Sequence, residues 1–115
     1  MTEMKDCLFC RIVRGEIPSA KVAESASCLA FRDIAPKGPT HVLVIPKAHY
    51  DSVLDVTDGA VLGEMGRLAQ EVAHAEGVAE GGFRLVINTG SDGGQTVGHL
   101  HMHLIGGRGL KWPPG

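Results

Sequence analysis

The sequence predicts an α+β domain built on an antiparallel sheet, and three observations lead there. Apolar runs of strand length (20–24, 28–32, 41–46, 83–88 and 99–105) are separated by turn residues. One longer stretch, 58–76, carries apolar residues at helical spacing. The connections between strands are short and no regular strand–helix–strand alternation is present, which argues against a parallel sheet.

Each element follows from local chemistry. DCLFCRIVRGE reads as a short helix: Asp6 caps it, Leu8, Phe9, Ile12 and Val13 form its apolar side, and Gly15 ends it. Segments 20–24 and 28–32 form two short strands around a tight polar turn at 25–27. APKGPT is a proline–glycine loop, and HVLVIP (41–46) is a β-branched run short enough to be a buried strand, closed by Pro46. Thr57 or Asp58 caps the long helix. Val61, Met65, Leu68 and Val72, with Leu62 and Ala69, form its buried stripe, and Gly77 follows it. FRLVIN (83–88) is a strand, TGSDGGQTVG a glycine-rich loop, and HLHMHLI (99–105) the last strand. Both histidine-bearing strands then lie in one sheet.

The 115 residues are expected to form a single domain, 1–115, with 43% hydrophobic and 21% charged residues, as in an ordinary globular chain. A formal net charge of −2 gives no broad field for nucleic acid or an anionic membrane. Phosphate recognition, if present, must come from local geometry. No apolar run approaches the ~20 residues of a membrane span. MTEMKDCLFC contains no apolar signal core, so a cytoplasmic location is expected. The three cysteines, Cys7, Cys10 and Cys28, then suit thiol or metal chemistry better than disulfides.

Three of the six histidines fall in HLHMH. Side chains alternate across a strand, so His99, His101 and His103 share one face while Leu100, Met102 and Leu104 point into the core. The preceding loop, SDGGQTVG, places Gly93, Gly94 and Gly98 where successive backbone amides can surround an anion, and Gln95 and Thr96 add side-chain donors. A glycine-rich hairpin loop without ligand is the plain alternative. Cys7-Leu-Phe-Cys10 has metal-ligand spacing, and His49 and His99 are candidates to complete a closed Cys₂His₂ site. Such a site ties a helix to a sheet and activates no water. A redox role for the CxxC is weaker, because the thioredoxin-like βαβ context is missing. Cys28 reads as buried packing and His74 as solvated.

HLHMHLI fits the histidine triad pattern, His-x-His-x-His followed by apolar residues. With FRDIAPKGPTHVLVIPKAH, VINTGSDGGQTVGHLHMHLIGGR and the terminal WPPG, the chain resembles the histidine triad (HIT) superfamily, in its histidine triad nucleotide-binding (Hint) branch, from about Cys7 to Gly115. The resemblance implies a HIT-like fold: a five-stranded antiparallel sheet with one long and one short helix, paired as a homodimer with a continuous ten-stranded sheet. It implies hydrolysis of purine nucleoside 5′-phosphoramidates, of the adenosine 5′-monophosphoramidase type, through a covalent nucleotidyl-histidine.

Carried over to this chain, the resemblance makes His101 the nucleophile, His103 a phosphate contact, and Thr96, where serine is common, a contact to the leaving amine. His41 would support the triad, or be a hydrogen-bonded core histidine. Asn88, Gly94, Gln95 and the Val97 amide would complete phosphate binding, and Asp33 would take the ribose hydroxyls. Leu8, Phe9, Ile12, Ile17, Phe31 and Ile34 would form the base slot, or simply core. Arg32 stands where Hint relatives often carry histidine. A structural zinc would sit on Cys7, Cys10, His49 and His99, with no catalytic cofactor. The tail 108–115, through Trp112, would reach toward the partner's active site and influence substrate choice, or merely anchor the terminus. Expected partners are a purine nucleoside phosphoramidate or nucleoside monophosphate and a second copy, but no nucleic acid or membrane.

Three rival functions are compatible with parts of this pattern. One is a His₃ zinc hydrolase using His99, His101 and His103, although on a straight strand these positions fan out over roughly 13 Å. Another is a dinucleoside polyphosphate hydrolase on the same scaffold. The last is a mainly non-catalytic nucleotide-binding regulator.

Overall fold

The computed structural model describes residues 6–115. Its centre is one antiparallel sheet in the order β1-β2-β3-β5-β4. The strands are β1 (Lys21–Glu24), β2 (Cys28–Arg32), β3 (Thr40–Pro46), β4 (Phe83–Val86) and β5 (Met102–Gly106), with helices α1 (Leu8–Val13) and α2 (Ala60–Ala75). The expected fold class and element order therefore hold. A 3₁₀ turn at Val53–Asp55, capped reciprocally by Ser52 and Asp55, was not foreseen.

Every residue of β3 is buried, which makes it the strand that separates two cores. Val42 and Val44 point to one face and pack with Cys28, Ala30, Leu104 and the α2 residues Met65, Leu68, Ala69 and Val72. Leu43 and Ile45 point to the other, with Leu29, Phe31 and Phe9 of α1. The period-2 alternation of β-structure thus puts α2 on one face and α1 on the other. Leu100, Met102 and Leu104 lie in the α2 core as expected, leaving His101 and His103 on the α1 face. Cys28 is buried and His74 exposed, also as expected.

Several boundaries move, each for a local reason. The N-cap of α1 is Cys7 rather than Asp6, its sulfur accepting from the Cys10 amide at 3.4 Å. At α2, Gly59 is the N-cap and makes no side-chain bond, while Asp58 Oδ1 accepts from the Ala60 amide one position outside. Gly77 follows the Glu76 C-cap with φ +75°, a conformation that costs glycine little. Pairing in β4 stops at Val86 rather than 88, and β5 begins at Met102 rather than 99. Ahead of β5 the Leu100 amide donates to the Tyr50 carbonyl at 2.7 Å, taking the backbone out of the ladder before His99 and His101. Among the described residues no helix is long and apolar enough to cross a membrane.

Leu104 is fully buried between the β3–β5 ladder and α2, so Leu104→Ala leaves a cavity. It should cost about 2–5 kcal/mol in urea denaturation, whereas Leu54→Ala, at an exposed position, should stay within about 0.5 kcal/mol. Equal losses at the two positions would contradict this placement of the core.

Candidate active site and metal cluster

A cavity of about 490 Å³ opens on the α1 face of the sheet. Helix α1 and the segment after it supply Leu8, Phe9, Ile12 and Ile17, the end of β2 supplies Phe31, Arg32, Asp33 and Ile34, and the far end supplies Thr96, Val97, His101 and His103. All six residues expected in the apolar slot therefore line one space, with Leu43 and Pro18 added by the structure. Phe9 is the hinge of this wall. Its ring meets Phe31 edge-on at 5.4 Å and His101 at 5.3 Å.

Hydrogen bonds fix the direction of each imidazole at the cavity. His101 Nδ1 lies 2.8 Å from the His99 carbonyl, which can only accept, so its proton sits on Nδ1 and Nε2 keeps its lone pair. At His41 the polarity runs the other way. The Lys37 amide donates to its Nδ1 at 3.0 Å, so the proton is on Nε2, which donates to His103 Nδ1 at 2.9 Å. His103 therefore carries its own proton on Nε2. One backbone amide thus sets a chain of two neutral rings ending in a donor.

Burial favours these neutral forms. It pulls His103 down to about 4, helped by the neighbouring His101 and His41 rings and opposed by Asp33. Burial likewise lowers His41, again against the pull of the Asp33 carboxylate, whose Oδ2 is 3.5 Å away. Asp33, His41 and His103 offer donor atoms close enough for a metal. A cation, however, would require a lone pair on His41 Nε2, and the Lys37 amide forces a proton there. Those residues are therefore arranged as a hydrogen-bonded chain rather than as a metal site.

His99 turns away to a second cluster. Its Nδ1 lies 3.3 Å from Cys7 Sγ, 3.5 Å from Cys10 Sγ and 3.2 Å from His49 Nδ1, and His49 Nδ1 is 3.3 Å from Cys10 Sγ. A tetrahedral zinc with the usual Zn–N and Zn–S lengths needs donors about 3.3–3.8 Å apart. The outer nitrogens are also anchored: His99 Nε2 donates to the Pro46 carbonyl at 2.9 Å and His49 Nε2 to Asp51 at 2.6 Å. Both rings thus present unprotonated Nδ1 atoms to the two sulfurs, as ligation requires. Burial holds His99 neutral as well, down to about 4. The donor set fits a closed tetrahedral ion. Among the described residues the three strand histidines do not converge on one point, which removes the geometric basis for a His₃ site.

Other expected residues lie elsewhere. Gln95 braces its loop: its Oε1 accepts from the Gly90 amide, and its Nε2 donates to the Asp51 and Val97 carbonyls. The side chain expected to bind phosphate is engaged within the protein. The amides of Gly94 and Gln95 close turns onto the Ser91 and Gly90 carbonyls. Gly93 packs so tightly that a Cβ would fall 2.3 Å from the Thr89 carbonyl oxygen. Asn88 is half-buried and lies outside the lining of the cavity. The Arg32 guanidinium is held in a bidentate pair with Glu76, at 2.7 and 3.0 Å, while the residue lines the cavity. Trp112 is exposed, with the Lys111 carbonyl held by Arg84.

Asp51, Pro46 and Lys37 were missed by sequence reasoning, because two act only through main-chain atoms. The spacing of His49 and Asp51 was the one available signal.

Because folded His103 resists protonation, the unfolded chain takes up a proton near pH 6.5 that the folded chain refuses until about 4. This part of the stability is complete above pH 6.5 and falls as the pH drops toward 4. Melting temperatures of His103→Gln should therefore decline less than wild type between pH 7 and 4. Parallel curves would show that His103 does not titrate this way.

The HIT domain family model matches residues 14–110. The adenylylsulfatase HINT1 of Arabidopsis thaliana is 48% identical over 113 residues, covering 94% of this chain and 76% of its own. The purine nucleoside phosphoramidase of Escherichia coli (strain K12) is 46% identical over 108 residues, covering 92% and 91%. Among solved structures, a HIT family hydrolase from Legionella pneumophila Philadelphia 1 superposes with a TM-score of 0.93 at 51% identity, covering 96% of this chain and 100% of its own. A family match over most of the chain, joined to near-half identity with a Hint protein, leads to one conclusion: the chain belongs to the HIT superfamily, in its Hint branch.

Proposed function

We propose that the protein hydrolyses purine nucleoside 5′-phosphoramidates through a covalent nucleotidyl-histidine on His101. The observation that carries this reading is the His101 ring, locked with its lone pair on Nε2 in the wall of an apolar cavity of nucleoside size. Similarity to the purine nucleoside phosphoramidase supports the substrate class.

In this reading His101 Nε2 attacks the α-phosphorus and the phosphorus–amine bond breaks. The amine leaves carrying a proton taken up from solvent, with the Thr96 hydroxyl as its contact; the proton released when water later resolves the intermediate restores the balance. Water then attacks the phosphorus–histidine bond, releasing nucleoside monophosphate and restoring the imidazole. His103 Nε2–H and the amides of Thr96 and Val97 hold the phosphoryl oxygens; neither amide has a partner among the described residues. His41 acts through His103 as a positioning residue. Asp33 takes the ribose, since Oδ1 accepts only one bond, from the Ala35 amide, and retains acceptor capacity. Leu8, Phe9, Ile12, Ile17, Phe31 and Ile34 take the base by apolar contact. A zinc ion on Cys7, Cys10, His49 and His99 would supply structural cross-linking, and no chemical step uses it.

We read the chain further as a single domain that pairs as a homodimer. Among the described residues the outer edge of β4 is unpaired and exposes Leu85, and Trp112 in the tail 108–115 is bare in the single chain, where a partner's active site would cover it.

Incubation with adenosine 5′-phosphoramidate followed by acid quench should give a protein mass increased by one adenylyl group. His101→Ala should show no adduct and turn over roughly a thousandfold or more slowly, while still binding AMP. Turnover by wild type without any adduct would point to direct attack by water. At saturating substrate a chelator should leave kcat standing while far-UV circular dichroism is unchanged; an abolished kcat with the fold intact would favour a metal-activated water instead.

A further inference from the structure

The metal cluster and the cavity share two structural parts. The first is α1, six residues long and too short to be a stable helix by itself. Cys7 and Cys10 turn one side of it to the cluster, while Leu8, Phe9 and Ile12 turn another to the cavity. The second is His99. Its ring faces the two sulfurs, and its carbonyl, 2.8 Å from His101 Nδ1, sets the direction of the nucleophile. Phe9 touches both rings, at 5.9 Å from His99 and 5.3 Å from His101.

We propose that metal occupancy of the Cys7–Cys10–His49–His99 cluster and nucleotide occupancy of the cavity are thermodynamically coupled through α1 and His99. The inference rests on the reading of the cavity as a nucleotide site. An ion on the cluster holds α1 docked, and a nucleotide in the slot contacts α1 only in that docked position. Each ligand therefore meets part of the ordering requirement of the other, and the coupling is positive. The same ion fixes the His99 backbone, which keeps the His101 lone pair aimed into the cavity. Coupling between two binding equilibria is reciprocal, so each ligand changes the affinity of the other by one common factor.

Calorimetric titration of AMP into zinc-loaded and zinc-stripped wild type tests this directly. AMP should bind the loaded form at least about fivefold more tightly, the lower end for coupled sites. Saturating AMP should raise the zinc affinity, read by competition with a chromophoric chelator, by the same factor. Phe9→Leu keeps all four donors but weakens the shared wall, and its coupling factor should shrink toward one. Equal AMP affinities for loaded and stripped protein overturn the coupling and leave the nucleotide reading standing. Absence of AMP binding to either form overturns both. Loss of the circular dichroism spectrum on stripping also overturns the proposal, in favour of a purely structural ion.

Discussion

The carbonyl of His99, accepting from His101, is the contact around which the site is organised. It is available only because β5 begins at Met102. Since β5 lies between β3 and β4, the carbonyls of a strand continued back to 99 would be drawn into ladder bonds with one neighbour or the other. The nucleophile candidate would then lose the acceptor that sets its tautomer. The early end of pairing follows from two groups that pull the backbone aside. The Leu100 amide bonds to the Tyr50 carbonyl, and the His99 ring reaches the Cys7–Cys10 pair and the Pro46 carbonyl. A short irregular stretch ahead of a regular strand therefore defines the chemistry.

The working end of the cavity uses oriented neutral groups where many phosphate sites use cations. Among the described residues Arg32 is the single cationic residue in the lining, and its charge is matched by Glu76. Direction comes from the main chain: the Lys37 amide at one end of the His41–His103 pair, the His99 carbonyl behind His101. Burial then penalises any added proton on His103 and His41. Donors that are already oriented, in a place poor in water, stabilise developing phosphoryl charge without reorganising. On the proposed reading, this is how a chain of net charge −2 would present an anion site.

What the sequence revealed and what it concealed divide along the same physical line. Alternation is a property of side-chain type, so HVLVIP and HLHMHLI exposed which residues face α2, and the CxxC spacing pointed to the cluster. Strand ends depend on which backbone groups find partners elsewhere, and nothing in the letters 99–101 announces the Tyr50 carbonyl. Gln95 shows the limit most clearly. Its amide can serve a phosphate or a loop equally well by composition, and only the positions of Gly90, Asp51 and Val97 decide. Arg32 shows a related limit: it lines the cavity, and only the position of Glu76 reveals that its guanidinium is paired there.

Exposure along the histidine strand follows the roles that the geometry permits. His99 is sealed, His101 is 4% exposed, and His103 is partly open. A closed metal ligand gains from complete exclusion of water, since an open position would admit a fifth donor. An attacking nitrogen needs a lone pair free of water yet aimed at a space a substrate can enter, which a buried ring at a cavity wall provides. A group that grips phosphoryl oxygens must stand nearest the opening, because that charge arrives from solvent. Three identical side chains at every second position thus acquire three environments from the bend before β5 and the depth at which each ring meets α1.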